Sequence, residues 1–147
     1  MILRKNTDCI VIHCAATKPS MDIGADEIRK WHTEERGFDD IGYHYVIKRN
    51  GEYEIGRPLA FQGAHAVAVN GRSIGVCLIG GLSEDNQPEN NFTLEQFLTL
   101  KDVIEIIKKQ YHHIKEIIGH CDVEEKKPHC PGFNVQEWLN KEDIKCG

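Results

Sequence analysis

An α/β domain built on a mixed sheet is the fold class this sequence predicts, and three observations predict it. Short β-branched runs alternate along the chain with amphipathic segments, so strands and helices interleave around one sheet. An Asn50-Gly51 turn joins two neighbouring runs as a hairpin, which makes part of that sheet antiparallel. The run from Ser73 to Ile79 is apolar on both faces, as a central strand covered by helices requires. At 147 residues, with no internal repeat, low-complexity tract or Pro/Gly-rich linker, the chain reads as one domain large enough for a real core.

The elements follow in order. Cys9-Ile10-Val11-Ile12-His13 is a β-branched run that reads as a buried strand ending on a histidine. Gly24 to Arg36 reads as a helix, because Ile28 and Trp31 share a face, charges occupy the rest and Gly37 supplies a stop. Tyr43 to Lys48 is a second strand, Arg49-Asn50-Gly51-Glu52 its turn, and Tyr53 to Ile55 the returning strand. Two glycines end the Ser73–Ile79 run. Phe92 to Tyr111 is the clearest helix: Thr93 with Gln96 forms a capping box, and Phe97, Leu100, Ile104, Ile107 and Tyr111 make one apolar face. Glu116 to Gly119 is a last strand leading into His120, and Val135 to Lys141 a short terminal helix.

Composition narrows the function classes. The chain is 40% hydrophobic and 28% charged, which is ordinary for a globular protein. A net charge of −5 argues against nucleic acid as the main ligand, and Arg4-Lys5 and Lys126-Lys127 read as solvated surface. No stretch approaches the roughly 18–20 apolar residues that cross a bilayer. Asn6, Thr7 and Asp8 interrupt the chain directly after Arg4-Lys5, so a secretory signal peptide is not expected. Of the six cysteines, Cys9 and Cys77 sit in apolar runs and read as free core thiols. Cys130 follows a polar loop and precedes Pro131-Gly132, a setting that suits chemistry better than packing.

Two strands, Cys9–His13 and Glu116–His120, end on a histidine. Were they neighbours in the sheet, both imidazoles would emerge at one edge, and a loop of nine residues leads from His120 to Cys130. Two imidazoles and a thiolate are good zinc ligands, and three protein ligands leave the fourth tetrahedral position open, as a catalytic site requires. From the residues alone, the alternative is that the histidines are satisfied core residues and Cys130 a loop thiol. Cys14 and Cys121 form a rival, structural ligand set, although strand alternation turns each away from the histidine it follows.

A resemblance runs through nearly the whole chain in order. It is carried by Ile12-His13-Cys14-Ala15-Ala16-Thr17-Lys18-Pro19-Ser20, Ile28-Arg29-Lys30-Trp31-His32 and Ile41-Gly42-Tyr43-His44-Tyr45-Val46-Ile47. It continues through Gly63-Ala64-His65-Ala66, Asn70, Ser73 to Gly81, and Gly119-His120 to Cys130-Pro131-Gly132-Phe133. In these segments the sequence resembles the phage-type N-acetylmuramoyl-L-alanine amidases, the type 2 amidases that share a fold with peptidoglycan recognition proteins.

The resemblance implies a single zinc amidase domain over residues 1–147, without a separate cell-wall-binding domain. It implies one Zn2+ held by His13, His120 and Cys130, and hydrolysis of the amide between N-acetylmuramic acid and L-alanine of peptidoglycan. A non-hydrolytic muropeptide-binding module on the same fold is the alternative, but such binders typically lack a zinc ligand. Tyr43 falls at the catalytic tyrosine position. The family commonly places an oxyanion lysine two residues before the third ligand; position 128 here is proline, which leaves Lys127 as the candidate, with Lys126 and His129 as rivals. His65, Asn70 and Ser73 match a substrate-binding rim. Asp122 reads either as an acceptor that fixes a ligand imidazole or as a turn cap. The expected protein is a monomer, made without a signal peptide and acting on the cell wall after release, with no nucleic-acid partner and no membrane insertion.

Overall fold

The computed structural model describes residues 1–146. Five strands form one sheet: β1 (Cys9–Cys14), β2 (Tyr45–Ile47), β3 (Tyr53–Ile55), β4 (Ser73–Leu78) and β5 (Glu116–Gly119). Their spatial order is β3-β2-β4-β1-β5. The β2–β3 hairpin is antiparallel and every other pairing is parallel, so the sheet is mixed as its sequence predicts. Three α-helices accompany it: α1 (Ala25–Lys30), α2 (Leu94–Gln110) and α3 (Val135–Lys141).

The period-2 alternation of the strands assigns each face a cover. Ile10 and Ile12 of β1, and Ile74, Val76 and Leu78 of β4, pack with Leu100, Val103, Ile104 and Ile107 of α2 and with Trp138 and Leu139 of α3. On the other face, Val46 and Cys77 meet Ala25 and Ile28 of α1, while Cys9 and Val11 meet Ala66 and Val69 of a loop. Burying a leucine such as Leu100 to 0% exposure makes truncation to alanine cost about 2–5 kcal/mol. At the start of α2, Thr93 Oγ1 accepts from the Gln96 amide and Gln96 Oε1 accepts from the Thr93 amide. Gln96 also donates to the carbonyls of Ile47 and Ile79, so the predicted capping residue ties the helix to the sheet as well.

Two elements differ from their predicted form. The helix expected over 24–36 is α-helical only to Lys30 and then widens into a π-helical turn, Trp31–Glu35. Gly37, at φ +70°, ends it in the left-handed region that glycine occupies without strain. The strand expected from Tyr43 is shortened to Tyr45–Ile47. Tyr43 and His44 keep backbone bonds to Arg57 and Gly75 but leave the regular ladder.

Candidate metal centre

Parallel pairing of β1 with β5 places Ile12 opposite Gly119, so His13 and His120 follow at the same sheet edge. The alternation that buries Cys9 and Val11 under the loop face also directs His13 to that face. His13 is wholly buried and His120 is 7% exposed. Their Nδ1 atoms lie 3.2 Å apart. Cys130 is delivered by the loop after β5, which the Cys121 amide fastens by donating to the Cys130 carbonyl at 2.9 Å. One donor atom each from His13, His120 and Cys130 falls within 4.8 Å of the others.

This donor set fits zinc. Two nitrogens at about 2.0–2.1 Å from a tetrahedral ion stand roughly 3.3 Å apart, close to the observed Nδ1 separation. Burial holds the His13 pKa well below its ordinary value, with His65 and His120 adding to the effect. Burial also lowers the His120 pKa, against an opposing pull from Glu124. Both rings are therefore neutral near pH 7, the state in which an imidazole nitrogen can coordinate. Cys130 Sγ accepts a hydrogen bond from the Cys14 amide at 3.3 Å. The neighbouring Cys14 thiol and burial push the Cys130 pKa upward, so metal binding must displace a proton there.

Each of these two imidazoles has a partner at its far nitrogen. His120 Nε2 lies 2.5 Å from Glu124 Oε2. Asp122, one of the two readings for that place, instead accepts from the Gly119 amide at 2.8 Å and acts as the turn cap. The sequence signal for Glu124 was its spacing, four residues after His120 on a short helical turn, which brings side chains to one face. His13 Nε2 lies 2.8 Å from His65 Nδ1, and His65 Nε2 lies 3.2 Å from Ser73 Oγ.

A cleft of about 140 Å³ opens beside His120 and Cys130, lined also by Ala15, Arg36, Tyr43, His65, Lys127 and others. Tyr43 is half-buried, with its ring centroid 5.0 Å from that of His13. Burial, then the Cys77, Cys130 and Cys14 thiols, push its pKa well above the ordinary tyrosine value, so its hydroxyl stays protonated. The π-helical turn helps aim it. His32 is carried inward, where its Nδ1 accepts from the Gly42 amide at 2.9 Å, immediately before Tyr43. Arg57, 6% exposed, donates to the carbonyls of Asp40, Ile41 and Gln62 and so braces the same segment. His44 faces away from the cleft; it accepts from the Gly75 amide and donates to the Phe61 carbonyl.

Lys127 lines the cleft together with His120 and Cys130 and also reaches the adjoining hollow of about 200 Å³, whereas Lys126 and His129 line the hollow but not the cleft. The three residues expected at a substrate rim occupy different settings. Of His65, Asn70 and Ser73, the cleft lining contains His65. Ser73 has no exposed surface for a substrate to touch, because it is the first residue of β4 and faces His65. Asn70 Oδ1 accepts from the amides of His65 and Ala66 and holds the loop that carries the histidine.

The sequence profile of the N-acetylmuramoyl-L-alanine amidases matches residues 3–133 of this chain. The chain belongs to that family. Endolysins of Klebsiella phage KP32 and Escherichia phage T7 are each 40% identical to it over 141 residues, spanning 96% of this chain and 91% of theirs. A peptidoglycan-recognition protein of Drosophila melanogaster is 30% identical over 137 residues, 90% of this chain and 72% of that protein. N-acetylmuramoyl-L-alanine amidase LysC from Clostridium intestinale URNW superposes with a TM-score of 0.79 at 27% identity, covering 99% of this chain and 95% of that one. This chain is accordingly an amidase, a hydrolase with the fold shared by those enzymes and the recognition proteins.

Proposed function

We propose that this amidase cleaves the amide between N-acetylmuramic acid and L-alanine in peptidoglycan, using one zinc ion held by His13, His120 and Cys130. The observation that carries the reading is the convergence of those three donor atoms within 4.8 Å, with His120 and Cys130 lining the cleft. When bound, zinc lowers the pKa of water towards about 7 and polarises a carbonyl.

The chain's own groups supply the rest. Tyr43, kept neutral by burial and with its ring beside that of His13, orients the attacking water and assists proton transfer through its hydroxyl. Lys127 brings a positive charge to the same cleft, where it stabilises the oxyanion that develops on the scissile carbonyl. It lies one residue from the usual lysine position, in a turn in which the Cys130 amide donates to the Lys127 carbonyl. The protein acts as a monomer on the cell wall after release from the cell that makes it.

Metal analysis paired with mass spectrometry of digested peptidoglycan tests cofactor and bond together. The wild-type protein is expected to bind one zinc per chain and to release stem peptides that begin with L-alanine. Cys130→Ala is expected to stay folded and lose both. Undiminished cleavage by a Cys130→Ala protein without zinc would defeat the reading.

A further inference from the structure

Resting on the reading that His13 is a zinc ligand, we propose that His65 is a positioning residue: seated on β4 and anchored by Ser73, it fixes the tautomer of His13 that turns Nδ1 to the ion.

The argument begins with strand periodicity. Ser73, Gly75 and Cys77 project from the same face of β4, and the register sets Cys77 beside His13 of β1. Between Ser73 and Cys77, the strand has a glycine, and the His65 ring lies over it. A Cβ placed on Gly75 would come within 2.7 Å of His65 Cγ, and one on Gly63 within 2.6 Å of His65 Cδ2. The two glycines therefore form a seat shaped to one imidazole. Asn70 holds the backbone of that residue through two amide bonds.

Proton accounting then gives the seated ring its role. A neutral imidazole carries one N–H. If the facing Nδ1 atoms of His13 and His120 keep their lone pairs for zinc, each ring bears its proton on Nε2. His13 Nε2 must then donate, and the atom 2.8 Å away is His65 Nδ1, which accepts. His65 in turn bears its proton on Nε2 and donates it to Ser73 Oγ at 3.2 Å. With both Nδ1 lone pairs given to zinc, the chain His13 to His65 to Ser73 runs in one direction, and the Ser73 hydroxyl takes the accepting role. Partners of this kind orient a ligand ring and raise its basicity. Ser73 and Asn70, read from the sequence as substrate contacts, converge on His65 instead.

The test compares His65→Ala, His65→Asn and Ser73→Ala with the wild-type protein. Zinc affinity is measured by competition with a chromophoric chelator, and the cobalt(II)-substituted proteins give a visible spectrum that reports ligand geometry. Circular dichroism confirms that each variant is folded, and kcat and KM are determined separately. His65→Ala is expected to bind zinc roughly 10–100-fold more weakly, with an altered cobalt spectrum and unchanged KM. In His65→Asn, the shorter amide oxygen reaches the place of Nδ1 and accepts the same proton, so affinity recovers most of that loss. Ser73→Ala is expected to weaken binding by a smaller factor in the same direction. Wild-type affinity in His65→Ala with a raised KM would make His65 a substrate contact and overturn the proposal. An asparagine variant no better than alanine would reduce His65 to packing and overturn it equally. A wild-type protein that takes up no zinc would instead bring down the metal reading itself.

Discussion

The two histidines proposed as ligands stand side by side but are held by different kinds of surroundings. His13 lies near the end of an interior strand, wholly buried, with the His65 ring behind it and a serine behind that. His120 begins a short helical turn at the edge of the sheet, backed by the half-buried carboxylate of Glu124. On the first side the partner ring is wedged by its loop against β4 and backed by a wholly buried serine, so little water can replace a lost bond. On the second, the partner lies on the loop that also delivers Lys127 and Cys130, and solvent can take over part of its work. The centre thus has a rigid floor and an adjustable wall, and the two should respond differently to substitution.

The largest contrast is expected from removing the ligands. His13→Ala and His120→Ala should both abolish zinc binding and cleavage, but His13→Ala should also cost about 2–4 kcal/mol of metal-free stability, through its cavity and the unpaired His65. Denaturant melts of the apo proteins decide the matter, and equal losses for the two variants would erase the contrast. Acid should find the interior next. Burial lowers the pKa of both His44 and His32 to about 4, against about 6.5 when unfolded. The unfolded chain therefore binds more protons between those values, so stability is full above about pH 6.5 and declines as pH falls towards 4, by on the order of 3 kcal/mol per ring. A midpoint of thermal unfolding that stays level from pH 7 to pH 4 would contradict this.

The adjustable wall is probed through the rate. Lys127→Ala should keep its zinc and lose roughly 10²-fold in kcat, the scale of one oxyanion partner, with Lys126→Ala near native. Matching rates for the two would remove Lys127 from the mechanism. The smallest effect is expected at Glu124. Its replacement by alanine should weaken zinc binding by roughly 10-fold, the lower end of the range for partners of metal ligands, because water can stand in for the carboxylate. A Glu124→Ala loss exceeding that of His65→Ala would invert the assignment of floor and wall.

Much of this architecture is legible in the sequence because its signals are periodic. The β-branched runs, the Asn50-Gly51 turn and the capped face of α2 each fix an element through local chemistry, and the structure keeps them within a residue or two. The convergence of His13, His120 and Cys130 was legible as strand endings, and it became specific through the ordered family segments. What escaped was set by contacts between distant segments. The seat of His65 depends on Gly63 and Gly75, which meet only once the loop folds over β4. Arg57 bonds three carbonyls of loops that no spacing rule connects. The π-helical turn is invisible to an apolar pattern that reads the same through Trp31 in either winding.

That turn has a consequence for insertions and deletions. Trp31–Glu35 holds more chain per turn than the α-helix that precedes it, and it spends the surplus on bringing His32 to the Gly42 amide. A single-residue deletion just before His32 would let the segment rewind as α-helix and swing His32 about 100° around the axis. The segment leading to Tyr43 would then lose its latch with no cleft residue altered. Length, as much as residue identity, is what this stretch has to preserve.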